Sequence, residues 1–208
     1  MSPVDLVRQF RPLYAPSAKH AAIVEVPGLA FLMIDGRGDP SSSEAYQDAL
    51  AALYGVAYTL RFALKKEAPE RDFKVAPLEG LWWADTEAPS MDALQADRDS
   101  WNWTMMIAVP DGVTAAEVAA AADAAARRRP LPAAARVRLE RFAEGLAAQI
   151  MHVGPYADEA PTIAALHQFV DEQGYALRGR HHEIYLGDPR RAAPERLKTV
   201  LRHPVMEA

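Results

Sequence analysis

Gly28-Leu29-Ala30-Phe31-Leu32-Met33-Ile34-Asp35-Gly36 is an apolar run that starts and stops on glycine, and the chain repeats its pattern. The echo is Gly145-Leu146-Ala147, leading through Ile150-Met151-His152-Val153 to the turn Gly154-Pro155-Tyr156. Each run reads as a strand closed by a turn, followed by a helix and two further strand candidates. Both halves therefore read β-α-β-β, and matching element order marks a duplication. Paired modules of this kind give an α+β protein. Its expected form is an antiparallel sheet with helices on one side and a central ligand groove between the halves.

Outward from the first run, residues 23–35 are strand-like with a break at Pro27-Gly28. Gly36-Arg37-Gly38-Asp39-Pro40 is a turn, too short of glycines for a dinucleotide loop, and Ser41-x-x-Glu44 has the form of a capping box. The helix that follows reaches about Lys66, with an apolar stripe of Tyr46, Leu50, Leu53, Ala57, Leu60 and Leu64. Tyr54, Tyr58 and Phe62, each four residues from the next, make an aromatic row on the adjoining face. Strands are expected at 73–84 and 101–109, joined by an acidic loop containing Asp85, Glu87, Asp92, Asp97 and Asp99. An alanine-rich helix over 114–129 is stopped by Pro130 and Pro132.

In the second copy, 137–153 reads as strand interrupted at Gly145. Asp158 caps a helix carrying Ile163, Leu166 and Val170, and strands follow near 181–186 and 198–202. The expected organisation is one domain: a proline-rich arm over 1–21, a first module over 22–110, a linking helix within 111–135 and a second module over 136–208.

The 208 residues are 50% hydrophobic and 25% charged, with a net charge of −5, which gives no electrostatic case for nucleic acid or anionic membrane. The absence of cysteine excludes disulfides, thiol nucleophiles and thiolate metal sites. No stretch approaches the ~18 apolar residues of a membrane span, and the N-terminus has no signal-like core. A soluble cytoplasmic protein is expected, with a small molecule as partner and without cofactor or metal.

The chemistry concentrates in two places. In His181-His182-Glu183-Ile184-Tyr185-Leu186, alternation puts His182, Ile184 and Leu186 on one face and His181, Glu183 and Tyr185 on the other. A carboxylate beside tyrosine in mid-strand is either solvated or set in a site that uses it. The two histidines point apart, so they do not share a metal, and His152, His167 and His203 lack ligand spacing. Glu79 is the other acid within an apolar strand and reads as an exposed residue ahead of a glycine bulge.

All four tryptophans, Trp82, Trp83, Trp101 and Trp103, fall on the strand pair of the first module, with Met105 on the face of Trp103. Core packing explains one such ring; four suit a cavity for a flat, greasy ligand. With aromatic walls, Glu183 can be the counter-charge for a lipophilic cation. It can equally be a general base, because apolar walls raise a carboxylate's pKa toward working pH.

The chain resembles the standalone GyrI-like proteins, close to the cyclopropanoid cyclopropyl hydrolases. The resemblance runs nearly end to end. It rests on Phe31-Leu32-Met33-Ile34-Asp35-Gly36-x-Gly38-Asp39-Pro40, Pro77-Leu78-Glu79-Gly80-Leu81-Trp82-Trp83 and Trp101-x-Trp103-Thr104-Met105-Met106-Ile107. Tyr46-Gln47 through Ala52-Leu53-Tyr54-x-Val56-Ala57-Tyr58-Thr59-Leu60, Gln149-Ile150-Met151-His152-x-Gly154-Pro155-Tyr156, His181-His182-Glu183-Ile184-Tyr185-Leu186 and Leu197-Lys198-Thr199-Val200-Leu201-Arg202 complete it. It implies two β-α-β-β modules about a pseudo-twofold axis, with Glu183 as the central acid. It also implies an aromatic cage, for which Tyr54, Tyr58, Tyr185 and the tryptophans are the candidates. The expected activity is capture of flat lipophilic or cationic xenobiotics, with hydrolysis of cyclopropanoid alkylating compounds. The alternatives are a non-catalytic sink or effector-binding protein, and an inhibitor of a macromolecule acting through the acidic loop. Relatives that activate transcription carry a helix-turn-helix ahead of this domain, for which residues 1–21 are too short and proline-rich.

Overall fold

The structure, a computed structural model, describes residues 2–85, 98–187 and 192–208. It is an α+β protein whose strands pair antiparallel, and its contacts resolve into two units interleaved along the chain. Of the described residues, the first contains 2–9, 29–76, 82–85 and 98–142; the second contains 10–28, 77–81, 143–187 and 192–208.

The interleaving comes from the two glycine breaks. The run expected over 23–35 is two strands, β1 (Ala22–Val26) in the second unit and β2 (Leu29–Arg37) in the first. Likewise 137–153 divides into β5 (Arg138–Phe142) in the first unit and β6 (Gly145–Val153) in the second. In the first unit β5 lies on β2, with Leu29 opposite Phe142; in the second β1 lies on β6, with Val26 opposite Gly145. Each half thus gives its leading strand to the other. Gly145 has φ +69°, a left-handed conformation that other residues resist, so the second break needs glycine for its backbone.

In the first unit, β2 also pairs with β4 (Asn102–Val109), setting Gly36 opposite Trp103, Ile34 opposite Met105 and Leu32 opposite Ile107. Period-two alternation puts these six on one face. Helix α3 (Glu44–Glu67) packs on that face, with α4 (Ala115–Arg128) beside it. The cap of α3 is Ser43, whose hydroxyl accepts from the Tyr46 amide, while Ser41 bonds to Asp39. The expected Ser41 box is therefore two residues early. Thr114 and Glu117 form a full capping box on α4. Within the stretch expected as an arm, α1 (Leu6–Gln9) falls in the first unit and α2 (Arg11–Tyr14) in the second.

In the second unit the strand order begins β1-β6-β9-β8, where β8 is His181–Tyr185 and β9 is Lys198–Glu207. The first residues of β3 (Leu78–Trp83) follow, and the short β7 (Tyr175–Leu177) pairs with the end of β9. Helix α5 (Ala160–Glu172) turns Ile163, Leu166 and Val170 inward as expected. Its N-cap is Glu159, not Asp158, and no side chain closes the cap. Among the described residues, no helix is long and apolar enough to cross a membrane.

Candidate functional site

Register divides the polar residues of the second unit between two faces. On β8 and β9, His182 stands opposite Arg202, and β6 adds Gln149 beside Arg202. His182 is clamped between Glu144, 2.9 Å from Nδ1, and Glu79, 3.0 Å from Nε2. Arg202 donates to Glu144 at 3.1 Å, to Gln149 at 3.0 Å and to the Leu13 carbonyl at 2.7 Å, and Tyr14 donates to Glu79 at 2.8 Å. Glu79 is therefore buried and paired, not exposed ahead of a bulge. Burial opposes the charges, but the two carboxylates outweigh it and raise His182 to about 9. In the same way burial pushes Glu144 up, and the cations His182 and Arg202 overcome it and hold the group at about 2. Two anions and two cations leave the cluster neutral, the condition under which buried charge is tolerated.

The opposite face carries Glu183. Tyr185 stands opposite Thr199 and Glu183 opposite Leu201, so alternation places His181, Glu183, Tyr185, Thr199 and His203 together on this face. Tyr185 donates to Glu183 at 2.7 Å, and its ring meets Tyr156 edge-on at a centroid distance of 5.6 Å. His181 Nε2 lies 3.3 Å from Glu183 Oε1 but completes no hydrogen bond.

Glu159, at the start of α5, is 5% exposed, and its Oε1 has no hydrogen-bond partner. Burial and the charge of Glu183 push its carboxyl up to about 8, while Thr199 slightly favours the anion without completing a bond. Farther along, the rings of His167 and His181 each contact His203, at centroid distances of 5.5 and 5.9 Å. Burial and the neighbouring rings hold His203 near 3, and burial with His181 lowers His167. Among the described residues, no group of three or more His, Asp or Glu is placed to hold a metal ion.

Sequence reasoning missed Glu159, which reads as one more acid at a helix start. The available signal was Pro161, which fits the first turn of a helix and so places the cap near 159. Tyr156, quoted within the second glycine turn, had no assigned part.

The first unit holds most of the other candidates. Trp103 is wholly buried, its ring over Gly36, where an added Cβ would meet ring carbons at 2.1–2.7 Å. Met105 is wholly buried beside it. Tyr46 meets Trp103 edge-on at 5.2 Å and reaches Trp82 at 6.1 Å. Trp82 then meets Trp101 at 5.6 Å, and the Arg98 guanidinium caps Trp101 at 5.5 Å. Rings thus run in series from the core to the half-buried Trp82 and Trp101, with Tyr46 as the link that the helix pattern had marked only as stripe. Trp83 is half-buried. Tyr54 is half-buried on α3, and Tyr58 stacks on Phe62, with 45% and 54% of these two residues exposed. Of the acidic loop, Glu87, Asp92 and Asp97 lie outside the described residues.

A comparison with the curated proteins finds no match. Among solved structures, an uncharacterized conserved protein from Listeria innocua is similar at a TM-score of 0.88 and 39% identity, covering 98% of this chain and 100% of that one. A protein described as a hydrolase, also from Listeria innocua, matches at 0.83 and 39% identity, with the same coverage. The C-terminal domain of EcmrR shares the fold at 0.57 and 16% identity, over 91% of this chain and 98% of that one. Residues 21–206 match the GyrI-like small molecule binding domain, and the chain belongs to that family.

Proposed function

We propose that this protein captures flat, lipophilic xenobiotics, cations among them, and hydrolyses those that carry a strained cyclopropane conjugated to a dienone. The observation that carries the reading is Glu183, a partly buried carboxylate held by Tyr185 at 2.7 Å, with Tyr156 packed against that tyrosine. The carboxylate suits cation recognition and water activation alike, and the rings give a planar ligand a surface on which to stack. The hydrolase from Listeria innocua, 39% identical over nearly the whole chain, supports turnover. The Trp82–Trp101–Arg98 series of the first unit is a second aromatic surface suited to a planar ligand.

In the hydrolysis, Glu183 takes a proton from water as the water oxygen bonds to the unsubstituted cyclopropane carbon. The ring C–C bond breaks, and its electron pair passes through the dienone to the carbonyl oxygen, which becomes a phenolate and then a phenol. Tyr185 fixes the carboxylate so that one oxygen remains directed at the water. Incubating the protein with a cyclopropanoid dienone and following the water adduct by mass spectrometry tests this reading. Glu183→Gln is expected to cut product formation by about 10²–10⁴, the usual worth of a positioned base. Wild-type turnover in that variant overturns the mechanism, and a stoichiometric complex without product leaves capture alone.

A further inference from the structure

Glu159 is not needed as the base, yet it is the more buried of the two acids and has a free oxygen. It caps α5 through its backbone alone, so its side chain is not committed to the helix. The groups of this region are His152 on β6, bonded to Thr162 at 2.9 Å; His181, Glu183 and Tyr185 on β8; Thr199 and His203 on β9; His167 on α5; and Tyr156 in the preceding turn. Among the described residues, no lysine or arginine pairs with Glu159 or Glu183. With no such cation among the described residues, burial and the neighbouring charge of Glu183 favour the protonated form of Glu159.

Building on the proposed function, we propose that Glu159 and Glu183 form an acid pair that holds one proton when empty and expels it when an aromatic cation is captured. The cation supplies the charge the face lacks, so the second carboxyl ionises and its proton passes to the buffer. The orphaned Glu159 Oε1 and the elevated Glu159 carboxyl both agree with a proton held there in the empty protein. A neutral ligand of the same shape displaces no proton. Cation affinity is thereby linked to pH, with a slope equal to the number of protons released.

Two measurements test the pair. Infrared difference spectroscopy of the ligand-free protein between pH 6 and 9 is expected to show a protonated-carboxyl band that fades with rising pH and is absent in Glu159→Gln. Absence of the band from the wild type overturns the pair whether or not any ligand binds. Calorimetric titration at pH 7 in buffers of different ionisation heat then compares N-methylacridinium with neutral acridine. About one proton released per N-methylacridinium, none per acridine and none from Glu159→Gln is the expected result, with cation affinity rising nearly tenfold per pH unit in the wild type. Binding of N-methylacridinium without proton release sinks the coupling but leaves the proposed function standing. Failure of either probe to bind removes the ligand reading itself and the coupling with it.

Discussion

The two faces of the second unit's sheet treat buried charge in opposite ways. On one, His182, Glu79, Glu144 and Arg202 are buried and ion-paired, with Gln149, Tyr14 and the Leu13 carbonyl taking further hydrogen bonds, and only Glu144 Oε1 among the described atoms of this network is left without a partner. On the other, Glu159 Oε1, His181 Nε2, His203 Nδ1 and Thr199 Oγ1 are buried without partners, and among the described residues no lysine or arginine pairs with the two acids. Strand β8 alone shows the contrast, because His182 joins the neutral network while its neighbours His181 and Glu183 face the unbalanced side. A balanced buried network holds a fold in one arrangement. An unbalanced one is where the proposed ligand reading places the cation.

The largest effect should come from breaking the balanced side. Arg202→Met removes the donor of Gln149 and one of the two cations that hold the buried Glu144, and should cost about 3–5 kcal/mol in chemical denaturation. A loss under about 1 kcal/mol would mean that the network is no more structural than the other face.

Glu159→Gln should act in the reverse direction. The folded carboxyl is raised to about 8, so between the ordinary carboxylate range and pH 8 the native state binds more protons than the unfolded one. Wild-type stability therefore falls as pH rises through that window. The variant should be more stable than wild type by about 2–3 kcal/mol at pH 8.5, with the gap closing toward pH 5. An equal gap at both pH values would remove the acid pair from the energetics.

The histidines sharpen the contrast further. His203 is held near 3, so below pH 6.5 the unfolded chain takes a proton that the folded protein refuses, and stability falls as pH drops. His203→Phe keeps a ring where Nδ1 has no partner, and should abolish about 1–2 kcal/mol of the loss between pH 6.5 and 5. His182, raised to about 9, contributes fully below pH 6.5 and loses its contribution as pH rises through 9. Imidazole resonances should therefore show His182 charged and His203 neutral at pH 7.5; the same charge on both would contradict the assignment.

Alternation made the faces of β8 legible in the sequence, and the glycine breaks made the strand ends legible. What lies on each face was not. Glu79 is 65 residues from Tyr14 and 103 from His182, and no local pattern distinguishes a paired buried acid from a solvated one at such separations. The breaks at Pro27-Gly28 and Gly145 showed where strands stop, but the exchange of β1 and β5 between units depends on pairing across the chain. Trp103 was legible as an aromatic on the face of Met105, while its position over Gly36 follows from the β2–β4 register. Glu159 needed the true cap of α5, one residue beyond the expected one.

The central claim is that the unbalanced face of the second unit binds the ligand through Glu183. Calorimetric titration of N-methylacridinium and acridine into wild type and Glu183→Gln tests it most directly, because glutamine keeps the side chain's shape and removes its charge. The account predicts that N-methylacridinium binds the variant at least tenfold more weakly, a loss of about 1.4 kcal/mol, while acridine binds both proteins alike. Equal affinity of the folded variant and the wild type for the cation would contradict it.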